Sequence, residues 1–136
     1  MATLQLSVAV RNARLDSIET AIGTAATLKI FSGSLPANCA AADAGTVLAT
    51  LALPSDWMAS AASGTKAKSG TWQDASADAA GNAAYFRVYD TAGTTCHIQG
   101  DVTATGGGGA MTVDNVVFAA GQSFTINTFT LTDANA

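Results

Sequence analysis

One histidine, two cysteines and a small set of acids are the residues of this chain that could do chemistry. His97 is the only imidazole available as a general base, with Asp90 and Asp101 near it in sequence. A hydrolytic triad would also need a serine presented on a sharp strand-to-helix elbow of the GxSxG kind. No such pattern occurs, and His97 falls inside a stretch that alternates as a strand, so it is read as a strand histidine. Cys39 and Cys96 are distant in sequence and form no CxxC motif, and one histidine cannot complete a zinc set with them. Whether they pair is left open by their spacing; two reduced, half-buried thiols are expected. Asp74, Asp78 and Asn82 are the nearest approach to a calcium set, but they lack a calcium-loop pattern and read as solvated turn residues. The glycine run 106–109 is followed by no Lys-Ser or Lys-Thr pair, which removes a phosphate-loop reading and leaves a mobile hairpin connection. No catalytic residue, cofactor site or metal ligand is assigned.

The elements that would position these residues are mostly strands. Residues 84–103 predict one long β-hairpin. Phe86 and Val88 alternate with Tyr85, Arg87 and Tyr89; a turn follows at 90–94; then Cys96, Ile98 and Val102 alternate with His97, Gln99 and Asp101. The first set is expected on the core, and the polar-aromatic set (Tyr85, Arg87, Tyr89, His97, Gln99) on a face displayed to a partner. Residues 7–22 predict the one helix. Val8, Leu15, Ile18 and Ile22 form its stripe, Ser7 its N-cap and Gly23 its stop, with Arg11 as a snorkelling arginine at the core edge. Strands are expected at 27–32 and 46–53, an irregular segment at 55–81, and another strand at 110–118 broken at Asp114-Asn115. In 122–132, Phe124 and Ile126 have one parity and Phe129 and Leu131 the other. A bulge near Asn127-Thr128, or a passage from one sheet to another, would reconcile them. Together these predict a mainly β fold, an antiparallel β-sandwich or barrel of jelly-roll type with one N-terminal amphipathic helix. A single domain over 1–136 is expected, with segment and helix 1–23, β-domain 24–132 and a frayed tail 133–136.

Composition narrows the partners. Only 12% of the residues are charged and the net charge is −4, with no basic run denser than Lys66-Ala67-Lys68. Nucleic acid and anionic membrane surfaces are disfavoured, since both need clustered Lys and Arg. No apolar run is long enough to span a membrane, and the N-terminus lacks the pattern of a signal peptide. A surface with so few charges suits a protein covered by neighbours in an assembly. Trp57 and Trp72 could stack on sugars, but core anchoring is the expected role for indoles in a thin segment.

Three long stretches, LKIFSGSLPANCAAADAGTVLATLALPSDW (28–57), FRVYDTAGTTCHIQGDV (86–102) and MTVDNVVFAAGQSFTINTFTLTDAN (111–135), with the helix RNARLDSIETAIG (11–23), resemble small virion structural proteins of tailed bacteriophages and prophages. The resemblance implies a non-enzymatic component of the particle, assembled in the host cytoplasm. It would be a capsid decoration (cement) protein, or a neck or tail accessory protein, that self-associates as a dimer or trimer and binds the major capsid protein. The alternative is a receptor- or glycan-binding module of a head or tail fibre, which an exposed Trp57 or Trp72 would favour. The N-terminal segment and residues 55–72 are the expected contact elements.

Overall fold

The structure, a computed structural model, describes residues 3–135. It is mainly β with one helix near the N-terminus, as the alternation predicts. The helix α1 (Val8–Ile22) begins where Ser7 Oγ accepts the Val10 N–H at 3.2 Å. It stops at Gly23, whose φ of 100° few other residues adopt and whose N–H closes on Glu19 O at 2.9 Å. Leu15 and Ile22 are buried and Ile18 half-buried, but Val8 is 51% exposed, so the stripe does not reach the first turn. Arg11 is buried instead of snorkelling, its Nη2 donating to Asp133 O at 3.1 Å.

Ten strands follow: β1 (Thr27–Phe31), β2 (Val47–Ala52), β3 (Thr65–Ala67), β4 (Gln73–Asp74), β5 (Gly81–Asn82), β6 (Tyr85–Tyr89), β7 (Cys96–Ala104), β8 (Met111–Val113), β9 (Val117–Phe118) and β10 (Phe124–Thr132). The main sheet runs β2-β1-β6-β7-β8-β10-β3, with β4 also on β10; β5 and β9 form a small second sheet. Among the described residues no pairing joins β2 to β3, so this is not a closed barrel. The sheet folds over in a sandwich-like arrangement. Phe86 of β6 meets Phe129 of β10 edge to face at 5.4 Å, although the two strands are not neighbours in the sheet.

One pair departs from the antiparallel expectation. β7 and β8 run parallel, Val102 opposite Met111 and Ala104 opposite Val113, with only six residues between them. Parallel neighbours ordinarily need a crossover of a dozen or more residues. The glycine run makes the short return possible: Gly106 and Gly108 sit at φ 88° and 79°, and a Cβ on Gly107 or Gly109 would strike the Thr103 side chain. Thr103 Oγ1 accepts the Gly109 N–H and Asn127 Nδ2 donates to Thr105 Oγ1. The run is a bonded return loop, not a mobile hairpin connection.

β10 carries the expected bulge. Its register against β8 shifts between Ile126 and Thr128, so Phe124, Ile126 and Phe129 are all buried and Leu131 packs against the same core. Trp57 and Trp72 lie in that core, 0% and 1% exposed, and their Nε1–H groups donate to Gly23 O and Ser69 O. The tail is not frayed over its described part. Asp133 is buried, its N–H donates to Gly64 O, and Asn135 O accepts the Leu6 N–H; Ala136 lies outside the described residues. No helix of the described residues is long and apolar enough to cross a membrane.

Candidate functional site

The hairpin β6–β7 is where the chemistry-bearing residues gather, and its second face differs from expectation. Tyr85, Arg87 and Tyr89 are buried along with Phe86 and Val88, and Gln99 is half-buried, so of the polar-aromatic set only His97 is displayed. The alanine-rich segment 36–44 lies over it. Arg87 uses every N–H it has, three on this cover and two on Gln99 of β7. Nη1 donates to Ala41 O and Asp43 Oδ1, both at 2.8 Å; Nη2 donates to Asn38 O at 3.0 Å and Gln99 Oε1 at 2.8 Å; Nε donates to Gln99 Oε1 at 3.1 Å. Gln99 Nε2 reaches Pro36 O, Tyr89 Oη donates to Asp43 Oδ1 at 2.6 Å, and Tyr85 Oη bonds Ala44. Burial first, then the Asp43 carboxylate, push the Tyr89 hydroxyl above the ordinary phenol range. Phe31 stacks flat on Tyr85 at 4.7 Å beneath. A guanidinium with all five donors satisfied has none left for an anionic ligand. It is a clamp.

A cleft of about 300 Å³ remains beside the clamp, lined among others by Cys39, Asp43, Tyr89 and Cys96. Cys96 stands on this side because His97 is the extra residue of a β-bulge: Tyr89 pairs with Cys96, but Val88 pairs with Ile98. The bulge moves Cys96 off the core face expected for it, where Ile98 and Val102 remain. His97 itself is exposed. Asp101 accepts the Ala110 N–H, and Asp90 caps the hairpin turn by accepting from Thr94 and Thr95. Neither aspartate is ion-paired with His97. Asp78 accepts from Thr50 Oγ1 and Asp74 from the Ser76 N–H. Among the described residues no group of three or more His, Cys, Asp and Glu could hold a metal ion.

A second polar cluster ties α1 to the segment before β3. Lys66 is buried, with its three ammonium hydrogens directed to Asp16 Oδ1 (2.7 Å), Glu19 Oε2 (2.9 Å) and Ala59 O (2.8 Å). Asp16 also accepts the Ala61 N–H and Asn12 the Gly64 N–H. Gly64 lies so close under the Arg11 guanidinium that a Cβ there would overlap it. The helix is therefore docked by hydrogen bonds as much as by its short apolar stripe.

These bonds have a pH signature. The Lys66 hydrogen bond, then the Ala61 N–H, hold the Asp16 carboxyl below its ordinary value, against a smaller desolvation effect. A folded pKa below the unfolded one gives stability that is present above roughly pH 4 and lost as pH falls through the folded value. Burial alone would lower the Lys66 pKa, but the bonds from Asp16 and Glu19 outweigh it and the net shift is upward. That contribution is complete below about pH 10 and is lost as pH rises through the folded value. Below about pH 4 the thermal midpoint should fall less steeply in Asp16→Asn than in the wild type. Asp90, lowered chiefly by its Thr94 backbone bond, keeps a residual slope. Equal slopes in the two proteins would contradict this assignment.

The unpartnered apolar side chains lie elsewhere. Leu4, Val8 and Val10 are 67%, 51% and 47% exposed within one short N-terminal stretch, whereas Leu35 and Val117 stand apart from it in sequence. Comparison of the chain with protein-family models, with curated proteins and with solved structures returned no match.

Proposed function

We propose that this protein is a structural component of a tailed-phage particle, a capsid decoration protein whose copies associate with one another and bind the major capsid shell. The observation that carries the reading is the exposed apolar stretch Leu4, Val8 and Val10, next to a body whose large side chains are otherwise mostly enclosed. Exposed apolar side chains gathered in one stretch favour coverage by a partner. The sequence resemblance to small virion proteins and the low charge agree with that role. Its mechanism is burial of area across subunit joints, on the order of 1,000 Å² or more per stable contact. A closed symmetric arrangement of two or three copies is the simplest that covers the segment in every subunit. The glycan-binding alternative loses its platform, because both indoles are in the core.

The contact has to be tested without disturbing the fold. Deletion of everything before Leu15 is unsuitable, since Arg11 and Asn12 bond the body. The triple variant Leu4→Ser, Val8→Ser, Val10→Ser changes only exposed side chains. Sedimentation of the wild type should give a concentration-dependent oligomer, and the variant a monomer with its thermal midpoint kept. A wild type that stays monomeric at every concentration, or a variant that still assembles, would overturn the contact.

A further inference from the structure

Cys39 and Cys96, far apart in sequence, line the same cleft beside the Arg87 clamp, and both are half-buried free thiols. The two walls of that cleft are tied together by side chains adjoining the cysteines. Tyr89, which pairs with Cys96 across β6–β7, donates to Asp43, and Arg87 holds Asn38 O, next to Cys39. We propose that Cys39 and Cys96 form an oxidation site, closing into a reversible intramolecular disulfide that staples the covering segment 36–44 to the β6–β7 hairpin. The inference is independent of the particle role.

The oxidant is a small-molecule disulfide, such as oxidised glutathione. The Cys39 thiolate attacks one of its sulfurs, forming a mixed disulfide and releasing one thiol. The Cys96 sulfur, after giving up its proton, attacks the Cys39 sulfur and expels the second thiol. Two protein thiols thus lose two electrons and two protons, and the oxidant becomes two thiols. The order follows from the surroundings. Burial, then the neighbouring Cys39, push the Cys96 thiol up to about 12, so it is a poor first nucleophile near neutral pH. In reducing surroundings the staple stays open, and in oxidising ones it closes. It would link two segments separated by about half of the β-domain, which restricts the unfolded chain strongly.

The test uses the full chain incubated with oxidised glutathione, then analysed by non-reducing peptide mapping and by thiol titration in denaturant. Both thiols should disappear together from a monomeric protein, with a linked Cys39–Cys96 peptide. The thermal midpoint should rise by roughly 10 °C and return on addition of dithiothreitol. In Cys96→Ser the reaction should stop at a glutathione adduct on Cys39. A stable adduct on wild-type Cys39 with Cys96 still free, a disulfide between chains, or two thiols that remain unreacted would each overturn the proposal.

Discussion

Trp57→Ala should be among the most damaging single substitutions in this protein, costing about 3–5 kcal/mol. The indole is 0% exposed, tilts against Trp72 with centroids 6.1 Å apart, and donates its N–H to Gly23 O just beyond the helix end. Truncation removes the largest kind of side chain from a core whose other members include several alanines, which cannot close over the space. It also leaves the Gly23 carbonyl without its donor, a loss of about 1 kcal/mol more. Trp57→Phe separates the two effects, since most of the volume stays and only the bond is lost. Thermal unfolding should show a fall of more than 10 °C for alanine and a few degrees for phenylalanine. Wild-type tryptophan emission should be blue-shifted and resistant to quenchers. An alanine variant with an unchanged midpoint would mean that the indole does not hold this core together.

Arg87→Leu should release the cover over the hairpin. All five donors of the guanidinium are used, three of the bonds going to the segment 36–44 and two to Gln99. Breaking a fully buried ion pair costs about 3–5 kcal/mol, largely because a charge is stranded. Here the Asp43 side chain is 41% exposed and rehydrates, so the smaller figure of about 2–3 kcal/mol is expected. The freed Asn38 and Ala41 carbonyls turn to water if the segment lifts. Hydrogen exchange should therefore report the change locally. Ala44, whose N–H is bonded to Tyr85 Oη, should lose protection while β1 and β6 keep theirs. Asp43→Asn keeps an acceptor for both Arg87 and Tyr89 and should cost less than about 1 kcal/mol. If the asparagine variant were as damaged as the leucine one, the charge of Asp43 and not the geometry of the clamp would be the source of stability.

What could be read from the sequence, and what could not, follows from which atoms do the bonding. Phe124, Ile126, Phe129 and Leu131 are all large and apolar, so their clash of parity announced the bulge in β10. Ser7 and Gly23 mark the helix ends because both act through their own residue type. The cover over Tyr85, Arg87 and Tyr89 left no such mark. Alternation separates two faces of a strand but does not say whether the second one meets water. The cover is also held mostly through the carbonyls of Pro36, Asn38, Ala41 and Ala44, which every sequence has. The Lys66 cluster left no mark either, because Asp16 and Glu19 reach it from α1, far away in sequence, and its third partner is the Ala59 carbonyl. The bulge at His97 has only the small Cys96 and the polar Thr94 and Thr95 between it and the turn, so no large apolar residue on that side could show a conflict of parity.

The exposed N-terminal stretch gives the account its central claim, that this body is made to be covered by neighbours in a particle. The most direct measurement is quantitative mass spectrometry of the phage particles released by induced cells that carry the gene. The particles should contain it in fixed ratio to the major capsid protein, and the Leu4→Ser, Val8→Ser, Val10→Ser variant should be folded but missing from them. Wild-type protein found only in the lysate, with particles that lack it, would contradict the account.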